Sequence, residues 1–211
     1  MNVSTKESSS AYELTWSLTA AGPEKPLLLS YSVHAHEELY LGDRLWDYAK
    51  GGARIPDPFG VYRFVRDGSL RLVFAQAPWP ANVSPRVVYQ PLYSRLKAGE
   101  TRRREIPIDQ PVDEYSALSR DISAPTVVEE VSRVLLVLSY RLRSSMPEDP
   151  QPPPNESAEE AGYIVADPKL LTSTVEVERL KVKRRTGYMA RFALPGEPGP
   201  GPVEPPKPPA K

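Results

Sequence analysis

The chain holds two histidines, His34 and His36, and no cysteine. Two residues apart on a strand, the imidazoles share one face, and Glu38 continues that face. Imidazole and carboxylate at i, i+2 and i+4 form three sides of a metal site of the two-His-one-carboxylate type. A chain using it would be a metal-dependent enzyme or a small-ligand binder. Such sites in all-β folds usually add a third histidine from another strand, and this chain has none to add. The competing reading is two polar side chains on the wet face of a strand. We favour it, so no metal and no cofactor is expected.

Other reactive constellations are thinner still. Zero cysteine removes disulfides, Cys-ligated zinc, iron–sulfur clusters and thiol nucleophiles. A serine nucleophile needs a base, and no G-x-S-x-G elbow is present. Gly51-Gly52 is not followed by a phosphate-binding Lys-Ser/Thr, and no G-x-G-x-x-G occurs. The 27 acids supply carboxylate pairs on paper, but nothing selects one pair for glycoside cleavage. The expectation is a protein that is not an enzyme.

Lys+Arg and Asp+Glu are 27 each, so no global charge draws the chain to nucleic acid or to a membrane. Two basic stretches stand out: Arg102-Arg103-Arg104 and Arg179–Arg191. In the second, Arg179, Lys181 and Lys183 are expected on one strand face, followed by Arg184 and Arg185. This run is the alternative site, for an anionic polymer. The reading we favour is the solvated face of an edge strand, where Lys and Arg discourage sheet-to-sheet association. The acidic segment Glu148–Glu160 is a candidate to neutralise it.

Trp79 sits in Pro78-Trp79-Pro80, a stiff aromatic projection suited to anchor a partner. Closing one end of the core is its equal alternative. Trp46, beside Tyr48 in Leu45-Trp46-Asp47-Tyr48, could serve likewise, although covering the core suits it better.

These residues must be positioned by strands. Tyr12, Leu14, Trp16 and Leu18 alternate with polar residues, as do Leu27, Leu29, Tyr31, Val33 and Ala35. Asp67-Gly68 between Tyr62–Val65 and Leu70–Phe74 signals a hairpin. Val87–Tyr89, Thr101–Ile108 and Tyr188–Leu194 are further strands. Arg133–Arg143 is the most apolar and should be central. Ser173–Lys183 changes parity, predicting a bulge near Glu178–Arg179. Helix is expected only as a turn or two in Val112–Asp121 and Asp43–Tyr48.

Eight of the 25 prolines fall in Pro195–Lys211 and five in Pro147–Pro154. The rest of the chain is ordinary, which divides it into a flexible N-terminus (1–10), one β domain (11–194) and a disordered Pro-rich tail (195–211). Within the domain, 146–162 is expected to be a long mobile loop. No apolar run reaches the ~20 residues of a membrane helix. No secretory signal opens the sequence, so a cytoplasmic location is expected.

Eight or nine short strands point to an all-β fold, an antiparallel two-sheet sandwich, with a closed barrel as the alternative. The order of strand, aromatic loop, hairpin and the turn Leu96-Lys97-Ala98-Gly99-Glu100 resembles small bacterial immunoglobulin-like sandwiches. No motif assigns a named family. The intracellular proteinase-inhibitor sandwiches share only generic strand patterning with it, and fold-level analogy does not carry function. The functional expectation is a non-enzymatic protein-binding or assembly module whose partner is another protein or its own copies.

Overall fold

The computed structural model describes residues 1–22, 25–48, 54–57, 60–77, 79–80, 90–116, 125–154, 156–157, 162–185 and 192–193. Its strands are β1 (Asn2–Ser8), β2 (Tyr12–Ala20), β3 (Leu27–Ala35), β4 (Leu39–Arg44) and β5 (Trp46–Tyr48). There follow β6 (Arg54–Pro56), β7 (Tyr62–Arg66), β8 (Ser69–Phe74), β9 (Trp79–Pro80) and β10 (Leu92–Leu96). The last are β11 (Thr101–Ile108), β12 (Val112–Asp113), β13 (Thr126–Leu142), β14 (Lys169–Arg185) and β15 (Phe192–Ala193). One 3-10 turn, Arg143–Ser145, is the sole helical element among the described residues. The fold is nearly all β, and its sheets do not close into a barrel.

The first sheet has the order β1–β2–β3–β11 and is antiparallel throughout. Period-two patterning sends Leu14, Trp16, Leu18, Leu29, Tyr31 and Val33 inward and leaves the hydroxyl-bearing residues between them outside. The second sheet is organised by β13, whose apolar centre is buried as its composition demands. One side of β13 pairs with β14. The other takes β8 at Arg133–Leu138 and β4 at Ser139–Leu142, with β10 outside β4. β8 runs parallel to β13 and β12 parallel to β14, so this sheet is mixed, which corrects the expectation of a purely antiparallel arrangement. Parallel pairing needs a crossover, and β10 and β11 lie in the chain between β8 and β13.

Side chains of both sheets form one buried cluster. Trp16 Nε1 donates to Ser173 Oγ at 2.9 Å, tying β2 to β14 and satisfying the indole inside the core. The hairpin β7–β8 turns at Asp67 (φ 51°) and Gly68 (φ 68°), the double left-handed geometry that Asp-Gly favours.

Met146, Tyr163 and Val165 pack against Tyr40 and Tyr93 of the second sheet. Val165 is buried with Tyr40 and Tyr93, and Tyr163 exchanges backbone hydrogen bonds with Tyr93 at 2.9 Å. Close approach there excludes a side chain at position 42, since a Cβ on Gly42 would stand 2.2 Å from Ser139 Oγ.

Several local expectations change. Asn2–Ser8, expected to be flexible, is a strand paired with β2. Its only large apolar residue is Val3, too little alternation to announce an edge strand. Asp43–Tyr48, expected to give a helical turn, is the end of β4 followed by β5. Val112–Asp113 is a strand and Tyr115 bridges Arg63, so the described part of that helix candidate is extended. Val87–Tyr89, residues 117–121 and the tail from 195 lie outside the described residues. Of the expected strand Tyr188–Leu194, Phe192–Ala193 is described and pairs with β9.

Candidate interaction groove

β1 is an edge of the first sheet, and beside it lies β14 of the second sheet, which the two-residue strand β12 borders at one end. On the side away from β13, β14 pairs only with β12, at Val182 and Lys183. Among the described residues, no strand hydrogen-bonds to that side of Lys169–Lys181, although β1 packs beside β14. Between the two strands opens a groove of about 1040 Å³, lined by Met1–Val3, Ala20–Gly22, Gln110, Pro111, Val128 and Glu176–Lys181.

The shape of β14 here follows from its bulge. Val131 pairs with Leu180 and Arg133 with Glu176, so one β13 residue faces three of β14. Arg179 takes φ 46°, the left-handed region. Side-chain parity changes across this point. Val175 and Val177 are buried before it and Leu180 and Val182 after it, while Glu176, Glu178, Arg179 and Lys181 are exposed. The expected bulge is therefore present and does what the sequence required. It also gathers two acids and two bases on one exposed strip. None of these four side chains has an ion-pair or hydrogen-bond partner among the described residues. Val128, on the wall, is 58% exposed.

The opposite flank, between β10 and β11, is built differently. The register of β4 against β10 shifts between Leu92 and Tyr93, leaving Asp43 without a direct partner. Asp43 is fully buried. Its carboxylate accepts Arg102 Nε and Ser94 Oγ, each at 2.6 Å, and its backbone oxygen accepts Arg104 Nη2 at 3.0 Å. Arg44 Nε donates to Ser94 Oγ at 3.1 Å. A buried carboxylate is tolerable only with such partners. Burial holds the Tyr31 hydroxyl above its ordinary range, and nearby Asp43 adds to the shift.

A third polar centre lies between β7 and Tyr115. The Tyr115 hydroxyl donates to Asp57 Oδ2 at 2.5 Å. Burial first, and this bond second, push the hydroxyl far up. Arg63 stacks 5.5 Å from the Tyr115 ring centroid, and burial pulls its guanidinium down from its ordinary value.

The residues singled out from the sequence fall as follows. His34 and His36 meet edge to face at 5.3 Å, and His34 Nδ1 lies 2.9 Å from Thr101 Oγ1. Glu38 does not join them, because β3 ends at Ala35 and its carboxylate accepts Arg95 Nε at 2.9 Å. Among the described residues, no group of three His, Cys, Asp or Glu could hold a metal ion.

Trp46 is buried against Leu92, donates Nε1 to Gln90 O at 2.7 Å and carries Arg54 4.9 Å from its ring centroid. Trp79 and Pro80 form β9, Pro78 lies outside the described residues, and the side chains of Trp79, Pro80 and Tyr48 are not described.

In the basic run, Arg179 and Lys181 line the groove. Lys183 reaches Asp113 at 3.7 Å and Arg184 reaches Glu129 at 3.3 Å. The side chain of Arg185 is not described. Of the acidic segment, Glu156 pairs with Arg54 at 2.9 Å and Asp149 with Arg143 at 2.5 Å, so these two acids serve other cations.

Sequence patterning missed the groove itself, whose walls come from five separated stretches. Its one legible signal was the block Glu176-Val177-Glu178-Arg179-Leu180-Lys181. No helix among the described residues is long and apolar enough to cross a membrane. Comparison with protein-family models, curated proteins and solved structures gives no match to this chain.

Proposed function

We propose that the chain is a non-enzymatic protein-binding module. Its two sheets are read as an immunoglobulin-like sandwich that accepts an extended segment of another protein along β14. The observation that carries this reading is the side of Lys169–Lys181 that no strand among the described residues hydrogen-bonds, with a groove along part of it. An uncovered edge offers backbone N–H and C=O groups to a further strand, and side-chain pockets beside it select which strand. Val128, which is exposed, supplies an apolar wall beside the edge. The anionic-polymer reading is the weaker one, because Lys183 and Arg184 already have acidic partners and Glu176 and Glu178 stand beside Arg179.

The test is selection from a random peptide library on the immobilised full chain. Binders should be extended peptides of alternating polarity, and Val128→Arg should weaken them by roughly tenfold or more, since a charge then enters the apolar wall. A library that yields no binder, or binders indifferent to Val128→Arg, would remove the groove as the site.

A further inference from the structure

Away from the groove, we infer a second docking surface: the side of β11 turned away from β3 takes an acidic extended segment of another protein as an added strand, recognised by Arg102, Arg103 and Arg104. β11 ends the first sheet and pairs only with β3, over Thr101–Ile108, without a register shift. Among the described residues, no other strand packs along β11 as β1 packs along β14.

The free backbone groups follow from the ladder. Ala35 N donates to Glu100 O at 2.9 Å. Alternate β3 residues counted back from Ala35 therefore turn their backbone groups toward β11, where Arg102, Arg104, Ile106 and Ile108 meet them. Thr101, Arg103 and Glu105 hold their N–H and C=O groups outward, followed by the carbonyl of Pro107. Proline has no N–H, and on this side the β3 ladder does not need one.

The side chains fit the same geometry. Arg102 and Arg104, opposite Val33 and Tyr31, share the core-facing side, and Arg103, opposite Ser32, is exposed on the other. Arg102 uses Nε for the Asp43 carboxylate and Arg104 uses Nη2 for the Asp43 carbonyl. A guanidinium carries five N–H donors, so both keep others. Arg103 has no ion-pair partner among the described residues. Asp43 thus closes the gap between the sheets and leaves the free side of β11 cationic. An edge lined with arginine repels basic strands and attracts acidic ones. Three consecutive acids on an added strand alternate sides as these three arginines do, and each then stands directly opposite a cation. β11 is regular across these positions, so the match needs no bulge in the partner.

Fluorescence polarisation with the full chain tests the inference. The probe is a labelled peptide with three central glutamates between valine and threonine flanks. It should bind roughly tenfold more tightly than the same peptide with three lysines, and the gap should narrow as salt is raised. Methylating the backbone nitrogen of the middle glutamate removes the N–H that reaches Arg103 O. It should weaken binding roughly tenfold with no change of charge. Arg103→Glu should weaken binding of the unmethylated probe by roughly the same factor. Thermal unfolding checks that this exposed substitution keeps the fold; should it not, the methylated peptide still decides. Val128→Arg should leave the affinity unchanged.

No binding of the glutamate peptide, equal affinity for the lysine peptide, or indifference to Arg103→Glu overturns the inference. A methylated peptide that binds as tightly as its parent also overturns it, because the surface then attracts polyanions without pairing a strand. The groove is judged separately, by library binders that respond to Val128→Arg.

Discussion

At the β10–β11 flank, a carboxylate with no exposed surface is held by two hydrogen bonds of 2.6 Å. At the β1–β14 flank, four charged side chains face solvent with no partner among the described residues and border an open groove. Both flanks rest on a strand irregularity. On β4 the register shift points Asp43 inward toward Arg102 of the other sheet. On β14 the bulge turns Arg179 outward beside Glu178. The same backbone device closes one side and equips the other. The difference lies in whether a complementary charge from the opposite sheet is within reach. Arg102 reaches Asp43, whereas the β1 residues lining the groove, Asn2 and Val3, carry no charged side chain. Charges that remain unpaired at a strand edge are available to a partner, and those paired inside it hold the sheets together.

This contrast can be broken by substitution, with the largest effect expected at the closed flank. Asp43→Ala should lower unfolding stability by about 3 kcal/mol, because Arg102 and Ser94 lose their acceptor inside the protein. Urea unfolding measures it, and an unchanged midpoint would mean the pair does not close the flank. Gly42→Ala, next to Asp43, should cost about 2 kcal/mol, since the new methyl meets Ser139 Oγ, Pro91 and Tyr93. A normal Tm for this variant would show that the far face of the second sheet yields easily.

At the open flank the signs and sizes differ. Arg179→Gly should stabilise by about 1 kcal/mol by relieving a left-handed residue with a side chain. Destabilisation instead would reveal an interaction of Arg179 within the fold. Glu176→Gln and Lys181→Gln should each change stability by less than about 0.5 kcal/mol, as exposed charges without partners do. A larger loss from either would contradict the contrast between the flanks.

Much of this was legible beforehand, and the physical reason is local in each case. Leu27–Ala35 and Thr101–Ile108 were readable to the residue, because half-buried strands impose a period of two. The Asp67-Gly68 turn announced itself through backbone conformation. The bulge of β14 followed from Val175 and Val177 on one parity and Leu180 and Val182 on the other, all needing burial. β1 was not legible, since an edge strand with one buried valine carries almost no pattern. Asp43–Tyr48 misled for another reason. Asp43 looks like a polar helix start, and only Arg102 and Ser94, more than fifty positions away in the sequence, make it a buried strand residue.

The amino-acid order by itself determined where strands form and which side chains they bury, because alternation is a property of neighbouring residues. It also determined that acid and base blocks would meet at 176–181. Which charges would be paired, and which left facing a groove, was decided only by the tertiary structure. Those outcomes depend on which strand ends beside which, and that is set by β13 gathering β4, β8 and β14 around one apolar centre.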